Sequence, residues 1–299
     1  MKDAILVTGA SGFIGGHLVA ALKSAGSKVH CHSTKDGDIA SCDLPYDDVE
    51  HVYHLAGKTF VPDSWEQPRG FYDTNVLGAV NVLEFCRQRH ASLTLLSSYV
   101  YGKPQHLPIG EEHVVKAFNP YSHSKILAEE IGEYYRTQFG VTVGVIRAFN
   151  LYGPGQDDRF LIPTLIRQAI DPSCDRIVVS DVRPRRDFIH VHDLIALLFK
   201  VKARGGNSTY NAGSGHSVSI GDLADMISAV SPPGKPVVSQ DRWRPEEALD
   251  VIADVTKAAN DLNWRPQIQL ADGLRGMIEW TKKGRRPTDE EHRHHTSCV

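Results

Sequence analysis

Tyr121-Ser122-His123-Ser124-Lys125 places a phenol and an ammonium four residues apart, on one face of any helix that contains them. A phenol titrates near 10, too high for ready proton transfer at neutrality. A nearby ammonium stabilises the phenolate and lowers that value, so Tyr121 would donate or accept a proton with Lys125 as its partner. Taken alone, this pairing is an ordinary surface pair; its neighbours decide its meaning. Upstream, Leu95-Leu96-Ser97-Ser98-Tyr99-Val100-Tyr101-Gly102 reads as a strand running into a loop. A serine hydroxyl there would bond the same substrate oxygen that Tyr121 protonates.

A second chemistry-bearing segment lies near the start: Thr8-Gly9-Ala10-Ser11-Gly12-Phe13-Ile14-Gly15, between a β run and a helical pattern. Gly9 permits a tight turn, Gly12 lets backbone N–H groups approach a pyrophosphate, and Gly15 lets helix and strand pack closely. The helix N-terminus adds partial positive charge for that anion. The segment is expected to bind a dinucleotide. An NAD-preferring site carries an acid at the end of the second strand. Here the stretch reads His30-Cys31-His32-Ser33-Thr34-Lys35, with no acid before Asp36. Ser33, Thr34 and Lys35 suit a 2′-phosphate, so NADP is favoured over NAD.

These segments need a frame. Ala4–Val7, Val29–His32, His51–Leu55, Leu93–Ser97 and Thr142–Arg147 read as strands, alternating with helical stretches at Gly12–Ala25, Phe71–Arg89 and Tyr121–Phe139. Such alternation implies right-handed crossovers and an α/β fold with a doubly wound parallel Rossmann-type sheet. After Asn150 the texture changes: Gly153-Pro154-Gly155 breaks the chain, and Pro-, Gly- and Arg-rich segments separate shorter elements. We expect residues 1–150 plus about 188–213 to form the dinucleotide-binding domain. Residues 151–187 plus 214–281 would form a smaller C-terminal substrate-binding lobe. Residues 282–299, with His292, Arg293, His294 and His295, read as a solvated, frayed tail rather than a metal site.

The whole-chain arithmetic fits. The 299 residues are 41% hydrophobic and 23% charged, enough to bury a core and against a disordered chain. With 33 Lys and Arg against 36 Asp and Glu there is no basic stripe for nucleic acid. No apolar run approaches the roughly 20 residues that span a bilayer, and a strand beginning at Ala4 leaves no room for a signal peptide. Five scattered cysteines form neither a disulfide framework nor a zinc spacing, which suits a reducing cytoplasm. No metal site is expected.

At this point a family resemblance is legible. The chain resembles the extended short-chain dehydrogenase/reductases acting on nucleotide sugars. The matching pieces are TGASGFIG at 8–15, YHLAG at 53–57, DTNVLGAVNVLE at 73–84, SSYVYG at 97–102, YSHSK at 121–125, RAFNLYGPGQ at 147–156 and RRDFIHVHD at 185–193. They run in family order from Ala4 to about Trp280. The resemblance implies that Tyr121 is the catalytic acid/base and Lys125 its ribose-binding partner. The third member is Ser97 by its spacing from the V-Y-G tyrosine, with Ser98 an alternative because the loop looks one residue shorter than the commonest form. The resemblance further implies cofactor contacts at Asp43 and Leu44, at Leu55, Ala56, Gly57 and Lys58, and at Asn75. The short stretch between Lys35 and His51 leaves the usual third helix missing or a single turn.

Asn150, Arg186 and Arg244 match positions that grip a sugar-nucleotide diphosphate, a task that suits the rigid guanidinium fork. Glu247, in Arg244-Pro245-Glu246-Glu247, is a candidate for base or sugar contacts. Dehydratases of this kind carry an acid after the catalytic hydroxyl and epimerase-reductases a cysteine, but Tyr99-Val100 stands there instead. The stretch His54–Trp65, the short second crossover and the R-P-x-E segment look most like GDP-4-keto-6-deoxy-mannose reductases. The expectation is therefore an NAD(P)-dependent reductase of a 4-keto-6-deoxy sugar nucleotide, GDP-linked by preference, with hydride going to C4 and a proton from Tyr121. A nucleotide-sugar 4-epimerase with tightly bound NAD is the alternative, and a non-catalytic dinucleotide-binding regulator a lesser one. The resemblance also implies a homodimer through the helices around Phe71–Arg89 and Tyr121–Phe139.

Overall fold

The computed structural model describes residues 3–242 and 248–284. Its main sheet has six parallel strands: β1 (Ala4–Thr8), β2 (Lys28–His32), β3 (Val49–His54), β4 (Ser92–Ser98), β5 (Val143–Ala148) and β9 (Thr209–Ala212). Their order is β2-β1-β3-β4-β5-β9, every pairing parallel. This is the doubly wound Rossmann-type fold. Period-2 alternation divides β1 between two cores: Ile5 and Val7 face one apolar cluster, and Leu6 faces the other. Helices α1 (Phe13–Ser24) and α7 (Val191–Arg204) cover the first face through Leu18, Leu22, Leu194 and Leu198. On the second face, α4 (Gly78–Arg89) and α5 (Pro120–Phe139) pack through Val82, Leu83 and Ala128.

Two short helices that the sequence pattern does not signal, α2 (Val61–Glu66) and α3 (Pro68–Tyr72), precede α4. A π-helical turn, Asp73–Leu77, joins α3 to α4. Between Thr34 and Asp48 there is no helix, in keeping with the short crossover. Chain order reverses across the sheet after β2, so the crevice between the carboxyl ends of β1 and β3 is a topological switch point, the usual place for ligands in such sheets.

The second lobe is built on β6 (Asn150–Tyr152), β8 (Arg185–His190), β10 (Ser217–Ser219) and β12 (Asp250–Val251), with a separate pair, β7 (Ile177–Val179) and β11 (Val237–Ser239). Helices α6 (Leu161–Ile170), α8 (Ile220–Ala229) and α10 (Leu270–Lys282) enclose its own cluster of Leu165, Ile166, Phe188, Leu223, Ile227 and Met277. Several stretches depart from the expected division: Asn150 and residues 188–190 lie in the second-lobe strands β6 and β8, and part of 214–281 lies under the main sheet. Ala258 and Leu262 of α9 (Thr256–Leu262), with Trp264, join the cluster beneath the main sheet, although they lie within 214–281. The Trp264 indole donates to the Asp193 carbonyl at 3.2 Å, and Asp193 Oδ1 and Oδ2 accept from the backbone N–H groups of Gln267 and Ile268. Those bonds dock the segment on α7. No helix among the described residues is long and apolar enough to cross a membrane.

Asp187 ties β8 to the segments that follow β9 and β12. Fully buried on β8, its carboxylate accepts from Ser214 N and Oγ, Gly215 N and Ala253 N at 2.6–3.0 Å. Burial nonetheless pushes its carboxyl above the ordinary range. Asp187→Ala strands these donors, and we expect a loss of about 3 kcal/mol or more, since each buried group left unpaired costs about 1–3 kcal/mol. Urea unfolding measures it, and a loss within about 0.5 kcal/mol of zero, as for an ordinary surface substitution, would remove Asp187 from this role.

Candidate active site

Both rims of the switch-point crevice are shaped by backbone. Gly9 adopts φ +68°, and a Cβ there would stand 2.7 Å from Ala56 N, so this turn and the loop after β3 touch directly. At Gly15 a Cβ would come within 2.1 Å of the Gly9 carbonyl oxygen, which only glycine avoids. Helix α1 starts at Gly12 with no side-chain cap and no acid in its first turn. Its first N–H groups and dipole are thus offered to an anion rather than to a carboxylate of the chain. Below, Thr8 Oγ1 and His54 Nδ1 share a 2.8 Å hydrogen bond that ties the ends of β1 and β3. This cradle fits a dinucleotide pyrophosphate.

The loop Leu55–Lys58 is held from the other side by Asn75. Its Oδ1 accepts from Lys58 N at 2.8 Å, and its Nδ2 donates to Lys58 O and to Ser124 Oγ at 3.1 and 2.9 Å. The π turn points this buried amide inward, an irregularity typical of functional positions. Gly57 therefore passes close to Lys125: a Cβ on it would lie 3.6 Å from Nζ.

Helix α5 begins in a capping box between Asn119 and Ser122, with Pro120 as its first residue. That fixes the helix start one residue before Tyr121. Tyr121 is partly buried, in edge contact with Phe71, and its phenol is hydrogen-bonded by the Ser98 side chain. Lys125 is 8% exposed and donates through Nζ to the Leu96 carbonyl at 2.7 Å. Tyr121, Lys125 and the end of β4 thus meet beside the crevice.

Two expectations change at this point. Ser97 and Ser98 point to opposite faces of β4, and the faces decide between them. Ser97 Oγ donates to Glu129, which is paired with Arg147 at 2.7 Å, whereas Ser98 is the serine on the phenol. The other change concerns charge. Burial pushes the Tyr121 phenol up to about 12, only partly offset by Ser98, and pulls the Lys125 ammonium down to about 8. Desolvation outweighs the expected ammonium–phenolate attraction, because Lys125 turns its charge to a carbonyl.

Elsewhere the fold redistributes the nominated residues. Ser33 N and Oγ both donate to Asp36 Oδ2, at 2.8 and 2.9 Å, and these bonds hold that carboxyl below its usual range. The turn after β2 therefore carries an anion beside Thr34 and Lys35, which the linear reading left out. Leu44 is buried in the core against α4, and Asp43 is exposed. Asn150 Nδ2 donates to the Asp187 carbonyl. Arg186, 7% exposed, gives Nη1 to the carbonyls of Arg185 and Ala248, so it braces β8 rather than standing open as a phosphate fork. Arg244 and Glu247, and the residues of the tail beyond 284, lie outside the described residues. Glu129 and Arg147 were not anticipated. The signal was available, since Glu129 extends the Tyr121–Lys125 row by one more four-residue step.

The chain belongs to the NAD dependent epimerase/dehydratase family, whose model matches residues 5–213. It is 31% identical to a putative UDP-glucose 4-epimerase of Methanocaldococcus jannaschii, over 94% of this chain and 99% of that one. It is equally 31% identical to the GDP-6-deoxy-D-mannose reductase of Pseudomonas aeruginosa, over 95% and 99%. The structure of RMD from Pseudomonas aeruginosa complexed with NADPH superposes with a TM-score of 0.86 at 29% identity, covering 94% of this chain and 99% of that one. The family is one of NAD(P)-dependent enzymes, and the first two of these relatives carry names that specify nucleotide sugars.

A turn holding both Lys35 and an anionic Asp36 should discriminate weakly between dinucleotides. We expect NADPH and NADH affinities within about tenfold of each other, and Asp36→Asn to shift the ratio toward NADPH by about fivefold. Fluorescence titration of both cofactors measures this; an unchanged ratio in the variant would take Asp36 out of the site.

Proposed function

We propose that this enzyme is a 4-ketoreductase of a nucleotide-linked 4-keto-6-deoxy sugar, GDP-linked by preference. The observation that carries this reading is a phenol kept in its protonated form, bonded by Ser98, on the rim of a crevice that fits a dinucleotide. Ketone reduction consumes a proton at the oxygen, so a Tyr121 that starts protonated is ready to act. A bound reduced nicotinamide supplies the hydride.

The residues then take the following roles. The Gly9–Gly15 turn and the N-terminus of α1 bind the pyrophosphate. Asn75 fixes Leu55–Lys58, and Lys125, drawn toward neutrality by burial, contacts the nicotinamide ribose. Ser98 bonds the C4 oxygen and Tyr121 donates its proton to that oxygen as negative charge develops there. Ser97 is replaced by Ser98 in this scheme. Asn150 and the second lobe orient the nucleotide diphosphate, with Arg186 ordering the strand on which they depend.

The equal similarity to an epimerase supports a second reading, in which Tyr121 takes the proton of the C4 hydroxyl, a bound oxidised nicotinamide would accept the C4 hydride, and both are later returned to the sugar. That cycle begins with Tyr121 as a base and ends with it as an acid, so the protonated phenol alone does not exclude it. The readings separate by cofactor balance: a reductase consumes one NADPH per product, and an epimerase consumes none. Incubation with NADPH and a panel of 4-keto-6-deoxy sugar nucleotides, followed at the nicotinamide absorbance band, is expected to show oxidation. Tyr121→Phe should lower the rate about 10²–10⁴-fold while leaving cofactor affinity intact. Near-full activity in that variant, or UDP-hexose epimerisation with no cofactor consumed, would sink the reductase reading.

We also read the enzyme as a homodimer through α4 and α5. The exposed Leu77, Tyr134 and Phe139 beside or on these helices support that reading. Light scattering is expected to give twice the chain mass, and a monomer at micromolar concentration would refute it.

A further inference from the structure

The buried face of α5 meets the end of β4 at three successive helical turns. Tyr121 takes the Ser98 hydroxyl, Lys125 the Leu96 carbonyl, and Glu129 the Ser97 hydroxyl. The first two contacts belong to the reaction proposed above. The third lies a full turn deeper. Glu129 and Arg147 have side chains only 11% and 10% exposed, and three guanidinium–carboxylate hydrogen bonds join them, at 2.7–3.2 Å. Arg147 is itself held by the Glu111 carbonyl and stacks over Tyr101, its Cζ 4.9 Å from the ring centroid. An ion pair that served only the core would have no need of Ser97.

We propose that Glu129 is a positioning residue. It fixes the end of β4 through Ser97 so that Ser98 faces Tyr121, and it supplies the negative charge that keeps Lys125 protonated. The inference rests on the reading of Tyr121, Lys125 and Ser98 given above.

The groups around Lys125 leave few other sources of that charge. On α5 its neighbours along the row are Tyr121, protonated, and Glu129. From β3 comes His54, fully buried and pulled down to about 3, hence neutral. From the loop after β3 comes the Gly57 backbone, while the ammonium of Lys58 is turned to Gly70. From β4 comes the Leu96 carbonyl, and from β5 comes Arg147, bonded to the Glu129 carboxylate. Burial lowers Lys125 and Glu129 opposes that fall. Removing the carboxylate should therefore let the ammonium lose its proton at lower pH.

The test reads Lys125 directly, by NMR titration of ¹³Cε-labelled lysine in the full chain, with the signal identified by its loss in Lys125→Arg. Glu129→Gln alone would strand a buried guanidinium, so the informative variant is Glu129→Gln/Arg147→Met, which removes both charges. Its Lys125 midpoint is expected to lie lower, by a few-fold in proton affinity, than in the unaltered chain, since loss of the nearer carboxylate outweighs loss of the Arg147 cation behind it in the pair. Glu129→Asp, which withdraws the carboxylate by one methylene, should give a smaller fall. Ser97→Ala, with the charge intact, should give none. A midpoint unmoved in the folded double variant overturns the inference. So does a fall in Ser97→Ala as large as that in the double variant, because it would assign the effect to packing. Should the double variant not fold, an unmoved midpoint in Glu129→Asp overturns it. A shifted midpoint in a chain that reduces no 4-ketone would leave Glu129 in this role and sink the reaction instead.

Discussion

The cost of burying one ammonium shapes the site. A lysine taken from water must find an acceptor and a counter-charge or lose its proton. The acceptor arises from unequal strand lengths. The β3–β4 ladder ends at His54 opposite Leu95, while β4 continues beside β5 to Ser98 opposite Ala148. The Leu96 carbonyl lies past the last rung on the β3 side, and Lys125 takes it. That bond sets how deep α5 sits against the strand end, and with it the approach of the Tyr121 phenol to Ser98. Helix depth and proton affinity thus both depend on a single desolvated group.

The same strand end faces the cradle that suits a pyrophosphate. Gly9 lies against Ala56, Gly57 against Asn75 and Lys125, and Asn75 against Ser124 on α5. These contacts run through backbone, a buried amide and a buried ammonium, so the distance from the glycine turn to the Tyr121–Lys125 face has little freedom. Such rigidity is what proton and hydride transfer to one carbonyl require, because acceleration from proximity is lost with small displacements.

How far the sequence discloses this depends on the kind of interaction. Strands β1 to β5 and helices α1 and α5 are legible within one or two residues, because buried parallel strands and amphipathic helices write their periods into the chain. The glycine turn is legible because no other residue fits at Gly15. Choosing between Ser97 and Ser98 is another matter. Strand residues alternate faces, so a one-residue ambiguity in spacing becomes a reversal of direction, and only the register of Ser97 against Arg147 settles which serine meets Glu129. Asp36 is visible as the first acid after the stretch, but linear order places it beyond the motif, and only the turn brings it back onto Ser33. Arg186 looked like a phosphate fork because its chemistry allows that role. Its burial against the Arg185 and Ala248 carbonyls comes from partners distant in sequence. The docking of α9 on α7 through Asp193 and Trp264 is likewise a long-range event with no local pattern.

The equal resemblance to a reductase and an epimerase has a physical origin. Both need the same phenol, ammonium and serine around one carbon, so the end of β4 and the face of α5 do not distinguish them. What differs is the initial protonation state of the phenol and whether the cofactor must leave after each turnover. The segment after β6 bears on the second point. It is pinned near α1 by the bond between His17 and the Pro154 carbonyl, and at its other end Arg159 lies over Phe60 and reaches Asp63 at 3.0 Å. Both partners of that last ion pair are about half exposed, and exposed pairs contribute little, about 0–1 kcal/mol. The His17 hydrogen bond and the Arg159–Phe60 stack therefore carry more of the attachment than the ion pair does, and on the proposed reading these are the contacts that release of the cofactor after each turnover would have to spare or break.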